Sequence, residues 1–125
     1  MTEIIETDDA AAAVGAYSQA VSTDSLVFTA GQIPFTPDGE SKADVSIAEQ
    51  TELVLDNLES VLNEAGCELG DVVKTTIFLA DIGDFDEMNE TYADYFDEEP
   101  PARSAVQAGA LPKGVGVEIE AIAEK

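Results

Sequence analysis

The chain has 125 residues, with 27 Asp or Glu against 5 Lys or Arg and a formal net charge of −22. That length gives one domain over residues 1–125, large enough to fold without disulfides or metal, and the charge disfavours long-range attraction to nucleic acid or anionic lipid. With no His and a single Cys, the composition excludes a His-containing triad, a Cys₂His₂ zinc site and a Cys–His nucleophile pair.

In chain order, residues 1–9 are acidic and lack the basic n-region of a signal or transit peptide. Within them Ile4 and Ile5 read as a short strand. Residues 8–16 are loop-like, with an alanine run ending at Gly15. Tyr17 to Val21 and Leu26 to Ala30 read as two strands around the turn Ser22-Thr23-Asp24-Ser25. Thr36-Pro37-Asp38-Gly39-Glu40 is a strong turn signal. Ser46-Ile47-Ala48-Glu49 has the capping-box pattern, and Ile47, Val54, Leu58, Val61, Leu62 and Ala65 follow at helical spacing. Gly66 falls where a helix C-cap is expected. Val72 to Ala80, rich in β-branched and aromatic residues, predicts a central strand. Asp84 to Glu87 is placed to cap a second helix whose buried stripe is Phe85, Met88, Tyr92, Tyr95 and Phe96; Glu99-Pro100-Pro101 ends it. Arg103 to Ala108 predicts a strand and Leu111 to Gly114 a loop. From Val115 to Ala123 apolar residues alternate strictly, so Val115, Val117, Ile119, Ala121 and Ala123 face one way. The order gives a two-layer α+β domain with two helices on one face of a mixed sheet.

Leu, Ile, Val and Phe total 32, enough for a core, so the high charge does not signal disorder. No apolar run approaches the roughly 18 residues of a membrane span. One thiol, Cys67, has no internal disulfide partner, and the expected compartment is the cytoplasm. The acids are spread along the whole chain, which suggests a salt-rich cytoplasm, where at about 1 M salt the Debye length of about 3 Å screens their repulsion.

The candidates for chemistry are few. Arg103, the only arginine, carries a planar fork suited to bidentate binding of a carboxylate; it either grips a ligand or pairs with a nearby acid. Glu118 shares a strand face with Glu120. If that face is covered, desolvation raises its pKa and fits it for proton transfer; if open, both are a solvated face. Tyr17 either orients a small polar ligand or packs with its hydroxyl wet. Gly31, at a strand end, lets a ligand approach the backbone or makes a bend. Asn89, within the second helix, reaches a ligand or a neighbouring loop. Cys67, near a helix C-terminus where the dipole disfavours a thiolate, reads as inert. Lys113-Gly114-Val115-Gly116 lacks the spacing of a phosphate loop. No cofactor or metal is called for.

These segments together resemble the Rid family of reactive intermediate deaminases, also called YjgF. The resemblance rests on Gly15-Ala16-Tyr17-Ser18-Gln19-Ala20, Gly31-Gln32-Ile33-Pro34, Asp71-Val72-Val73-Lys74-Thr75-Thr76, Asn89-Glu90-Thr91-Tyr92, Pro101-Ala102-Arg103-Ser104, Leu111-Pro112-Lys113 and Val117-Glu118-Ile119-Glu120-Ala121. It covers almost the whole chain. It implies a chorismate-mutase-like fold, a homotrimer with sites between subunits, no cofactor, and hydrolysis of 2-iminobutanoate, 2-iminopropanoate and related enamino acids to 2-keto acids and ammonia. By the same resemblance Arg103 grips the substrate carboxylate, Glu118 activates water, Tyr17 hydrogen-bonds at the reacting end, Asn89 supports the site, and backbone at Gly31 and Ala105 lines it. The slot before Gly31, often Ser in the deaminase subgroup, is Ala30; the slot two after the arginine, often Cys, is Ala105. The connection Asp97-Glu98-Glu99 looks shorter than in many members. A non-catalytic small-carboxylate binder or a stress-related interaction protein on the same trimer is the competing reading.

Overall fold

The alternation read in the last strand sets the centre of the fold. In the computed structural model, which describes residues 2–96 and 98–125, six strands form one sheet: β1 (Glu3–Ile5), β2 (Ala20–Ser22), β3 (Leu26–Thr29), β4 (Val72–Leu79), β5 (Ala102–Gln107) and β6 (Val117–Glu124). They lie in the order β1-β2-β3-β6-β4-β5. All pairings are antiparallel except β4 with β5. That parallel pair needs a crossover, and α2 (Phe85–Tyr95) supplies it. Asp97, part of the connection noted above, lies outside the described residues.

In β6, Val117, Ile119, Ala121 and Ala123 are buried, while Glu118, Glu120 and Ile122 point the other way and are half-buried. Helix α1 (Ile47–Glu64) packs on the buried face of β6 and β3, and α2 packs beside it on α1. Val54, Leu58, Val61 and Leu62 from α1 meet Ile77 and Leu79 from β4 and Met88 from α2 in one core. Each such side chain contributes roughly 1.5–3 kcal/mol of transfer free energy. Among the described residues the other face of the sheet carries no helix.

The ends of α1 follow the sequence signals. Ser46 Oγ accepts the Glu49 N–H at 3.1 Å. A second free N–H of the first turn, that of Ala48, donates to the Glu87 carboxylate on α2 at 3.0 Å, so the two helices are tied at one end. At the other end Gly66 takes φ +81°, and the Cys67 and Gly66 N–H groups donate to the carbonyls of Leu62 and Asn63 at 2.8 and 3.0 Å, the pattern of a Schellman C-cap.

Several expectations need correction; β4, β5 and β6 span Val72–Leu79, Ala102–Gln107 and Val117–Glu124, so Ala80, Ala108 and Val115 lie outside them, and Phe96 lies past the end of α2. The second strand begins at Ala20, not Tyr17, because its ladder with β3 ends at the Ala20–Thr29 pair; beyond it the Gln19 carbonyl accepts the Ala30 N–H and the pairing stops. For the same reason Ala30 lies outside β3. Asp84 makes no capping bond; Asp81 accepts the Gly83 N–H at 2.8 Å and caps the 3₁₀ turn Ile82–Asp84 that leads into α2. The loop at Leu111–Gly114 contains a 3₁₀ turn, Pro112–Gly114, in which Lys113 takes φ +58°. The buried face of α1 also holds polar residues that the spacing of apolar residues did not reveal. Gln50 donates to the Ala43 and Val45 carbonyls and accepts the Gly116 N–H; Asn57 donates to the Phe35 carbonyl at 2.8 Å. These bonds fasten the segment after β3 to the helix. Among the described residues, no helix is long and apolar enough to cross a membrane.

A methyl group at Gly66 would meet open space, so its cost is conformational only. Gly66→Ala is expected to lower stability in urea denaturation by roughly 1–2 kcal/mol while leaving the sheet and the sites below intact. An unchanged midpoint would show that the left-handed residue is not what closes α1.

Candidate active site

A cavity of about 550 Å³ opens beside β6, with Tyr17, Gly31, Lys113 and Glu118 in its wall. Its geometry begins with a slip in strand pairing. Phe28 is opposite Ile122, but the next pair is Gln32 with Ile119, one residue out of step. The Thr29 hydroxyl fills the gap by accepting the Ala121 N–H at 2.9 Å, and the Ala30 N–H turns to the Gln19 carbonyl at 2.8 Å. Gln32 and Ile119 then exchange two backbone bonds of 2.8 and 3.1 Å. This bulge brings the Gly31 backbone against the Glu118 side chain. A Cβ at Gly31 would overlap the carboxylate, falling 2.8 Å from its Cδ, so glycine is needed here for space.

Glu118 lies opposite Phe78 on the helix-free face of the sheet. Burial pushes its pKa above the ordinary carboxylate value, and the neighbouring charge of Glu120 adds to the shift. Glu120 shares the face, opposite Thr76, but does not line the cavity. Tyr17 is 54% exposed, on the loop rather than a strand. The loop before it is held by Gln19, which is buried. Its Oε1 accepts the Thr7 N–H at 2.7 Å, and its Nε2 donates to the Thr7 and Ala11 carbonyls at 3.1 and 2.8 Å. One buried side chain therefore ties the start of the Ala11–Val14 wall to the Thr7 segment. Gln19 and Lys113 both line the cavity; the sequence placed them in matching motifs without giving either a role in the site. The left-handed backbone of Lys113 belongs to a non-glycine residue and has no sequence signal.

Arg103, Asn89 and Ala105 form a second cluster. Arg103 on β5 is opposite Thr75 of β4, which is fully buried beneath the helices, so Arg103 lies on the helix side at the sheet edge. Phe85, Asn89 and Tyr92 are spaced i, i+4, i+7 and share one stripe of α2. Arg103 Nη1 donates to Asn89 Oδ1 at 2.6 Å, and its Cζ lies 4.9 Å from the Tyr92 ring centroid and 5.3 Å from that of Phe85. The Tyr92 and Thr75 hydroxyls are hydrogen-bonded at 2.7 Å. Among the described residues no carboxylate pairs with Arg103. Ala105, opposite Ile77, is partly buried against the core on the same side. Cys67 is buried in the core, and desolvation pushes its thiol up, with Asp71 adding and Lys125 opposing.

Within one chain these residues do not form one site. Thr75 opposite Arg103 and Phe78 opposite Glu118 are three apart on β4, so the two functional side chains leave opposite faces of the sheet. Tyr17, Gly31 and Glu118 are together; Arg103, Asn89 and Ala105 are together elsewhere.

Gly31→Ala is expected to drive the Glu118 carboxylate out of its half-buried place. In a carboxyl ¹³C NMR titration the Glu118 pKa then falls back toward its ordinary 4.5. A titration unchanged from the parent protein would show that the carboxylate and Gly31 are not in steric competition.

The family model described as Endoribonuclease L-PSP matches residues 7–125. The chain is 48% identical over 121 residues to the 2-iminobutanoate/2-iminopropanoate deaminase of Rattus norvegicus, a match covering 97% of this chain and 88% of the rat protein. Its fold is similar to that of yeast Mmf1, with a TM-score of 0.97 and 38% identity over 100% of this chain and 99% of the other. It is also similar to E. coli TdcF in a crystal structure with bound serine, with a TM-score of 0.91 and 46% identity over 98% of each chain. Family match, identity and fold coincide over nearly the full length, and the chain belongs to the Rid (YjgF) family, the family of the Endoribonuclease L-PSP model.

Proposed function

We propose that this chain is a 2-imino-acid deaminase that hydrolyses 2-iminobutanoate and 2-iminopropanoate to 2-keto acids and ammonia, working as a homotrimer with its sites between subunits. The observation that carries the reading is Arg103: the one arginine of a chain with 27 acidic residues stands without a carboxylate partner among the described residues, on two aromatic rings and a neutral amide. A guanidinium kept free of internal acids is a ready receptor for a ligand carboxylate. The name of the rat relative and the serine bound to TdcF, itself an amino acid with a carboxylate, support the same chemistry.

In this reading the Arg103 fork binds the substrate carboxylate, with Asn89 holding Nη1 and Ala105 beside it. Glu118 takes a proton from water as the water oxygen bonds to C2 of the protonated imine, whose C=N electron pair moves to nitrogen. That proton passes from Glu118 to the amino nitrogen, the C–N bond breaks with its pair leaving on ammonia, and the C2 hydroxyl gives its proton back to Glu118 and on to solvent as it becomes the keto group. Tyr17 hydrogen-bonds at the reacting end and the Gly31 backbone lines the pocket. General acid–base help of about 10²–10⁴-fold suffices for so labile a substrate, with no cofactor. Arg103 and Glu118 leave opposite sheet faces, so a neighbouring copy must bring one to the other. The helix-free face supports such packing, since it exposes Ile4, Phe28 and Val106. The charge of −22 speaks against RNA as a substrate and against a membrane partner, and the cytoplasm is the place we assign.

Activity is read with a threonine dehydratase generating iminobutanoate and semicarbazide trapping what remains. Arg103→Ala is expected to lower kcat/KM by roughly 10²–10⁴-fold, two charge-assisted hydrogen bonds being lost, with Arg103→Lys recovering little; near-parental turnover would remove the anchor. Glu118→Gln loses most activity yet binds 2-oxobutanoate, whereas Glu120→Gln retains most turnover. If Glu118 is the base, its ionised form is the active one. The acid limb of kcat/KM therefore lies above the ordinary 4.5, and Glu120→Gln moves it down by removing a like charge. A limb that stays put in Glu120→Gln would assign the titration to another group. Coexpression of Arg103→Ala with Glu118→Gln chains restores about a quarter of parental activity if each site draws on two subunits, and none if each chain works alone.

A further inference from the structure

We infer that Tyr92 is a positioning residue for Arg103: its ring, braced by the Thr75 hydroxyl and flanked by Phe85, holds the guanidinium where the substrate carboxylate meets it. This rests on Arg103 being the carboxylate anchor. Arg103 stands on an edge strand and is exposed, where a long side chain has many rotamers open to it. Three contacts confine it instead. Asn89 takes one N–H at 2.6 Å, and the rings of Tyr92 and Phe85 lie 4.9 and 5.3 Å from Cζ, within cation–π range. All three come from one stripe of α2.

Tyr92 is the fixed member of the set. It is 4% exposed, and its hydroxyl is bonded to Thr75, which is fully buried. That bond anchors the far end of the ring, so the ring cannot swing with the guanidinium. Burial also pushes the Tyr92 phenol up, so the ring beneath the cation stays neutral. Core packing alone does not account for the choice of residue. Tyr92 meets Phe96 at 4.7 Å between centroids, and a leucine would fill much of that space, but it offers neither a π face to a cation nor a hydroxyl to Thr75.

The test compares Tyr92→Leu with Tyr92→Phe, each in the parental and the Arg103→Lys backgrounds. Steady-state kcat and KM for iminobutanoate, the Kd of 2-oxobutanoate and the urea midpoint are measured for all. Tyr92→Phe keeps the π face but loses the Thr75 brace and is expected to raise KM about threefold, and Tyr92→Leu, which loses both, to raise KM and Kd about tenfold with kcat changed far less. In the Arg103→Lys background, where there is no planar fork to hold, the same change has less than about threefold effect. Equal effects of Tyr92→Leu in both backgrounds, or a KM that does not move, would overturn the positioning role while leaving the anchor standing. Full activity in Arg103→Ala would instead overturn the reading beneath it. Should Tyr92→Leu fail to fold, Phe85→Leu, at the partly buried first turn of α2, is read by the same criteria.

Discussion

The two backbone bonds between Gln32 and Ile119 hold the most consequential piece of the molecule in place. They pin the chain after β3 to β6 one residue out of register, and the Thr29 hydroxyl takes the ladder N–H that the slip leaves over. The result is a glycine backbone pressed on a carboxylate, which screens Glu118 from solvent and pushes up its pKa. The supports lie far away in sequence. Asn57 and Gln50, buried polar residues of α1, hold the Phe35 carbonyl, the Ala43 and Val45 carbonyls and the Gly116 N–H. The helix layer thus steadies the bulge from the opposite side of the sheet, since an unpaired buried amide there would be costly.

The electrostatics of the two clusters are opposed, and the sheet keeps them apart. Glu118 gains basicity by being half-buried and beside another acid. Arg103 keeps its charge available by stacking on rings and bonding to a neutral amide, in a molecule where an ion pair would be easy to make. The exposed pair of Lys42 with Glu40 shows the ordinary alternative, one that contributes little in water and less in salt. Tyr95, by contrast, donates to Asp56 and joins α2 to α1. One helix therefore uses three aromatic residues in different ways: Tyr95 as a tie between helices, and Phe85 and Tyr92 as the bed of a cation.

The regular parts of the fold were legible because one period dominates each of them. The strict alternation of β6, the α1 stripe, Ser46 and Gly66 at its ends, and the Thr36–Glu40 turn all report local backbone geometry. The misreadings arise where a partner decides the outcome. Tyr17–Gln19 has strand character, but its pairing stops at one bond, from the Ala30 N–H to the Gln19 carbonyl. Asp84 has capping chemistry, but Asp81 is better placed to bond the turn before it. Gln50 and Asn57 carry no sign in the sequence that they are buried, because their burial depends on the segment after β3 folding over them.

By itself the sequence determined the two-helix, one-sheet class, the scarcity of cations, the absence of imidazole chemistry, and the family motifs that point to Arg103, Glu118, Tyr17, Gly31 and Asn89. Strand parity placed Glu118 and Glu120 on one face, and it has no means of telling them apart. The family motifs point to Glu118, and the tertiary structure supplies the physical difference, because a bulge between segments some ninety residues apart seats Gly31 on Glu118 and leaves Glu120 outside the cavity. It also decided that Arg103 and Glu118 leave opposite faces, which follows from the register of β5 and β6 on β4. Register is set by long-range pairing, which the order of residues along one strand does not encode.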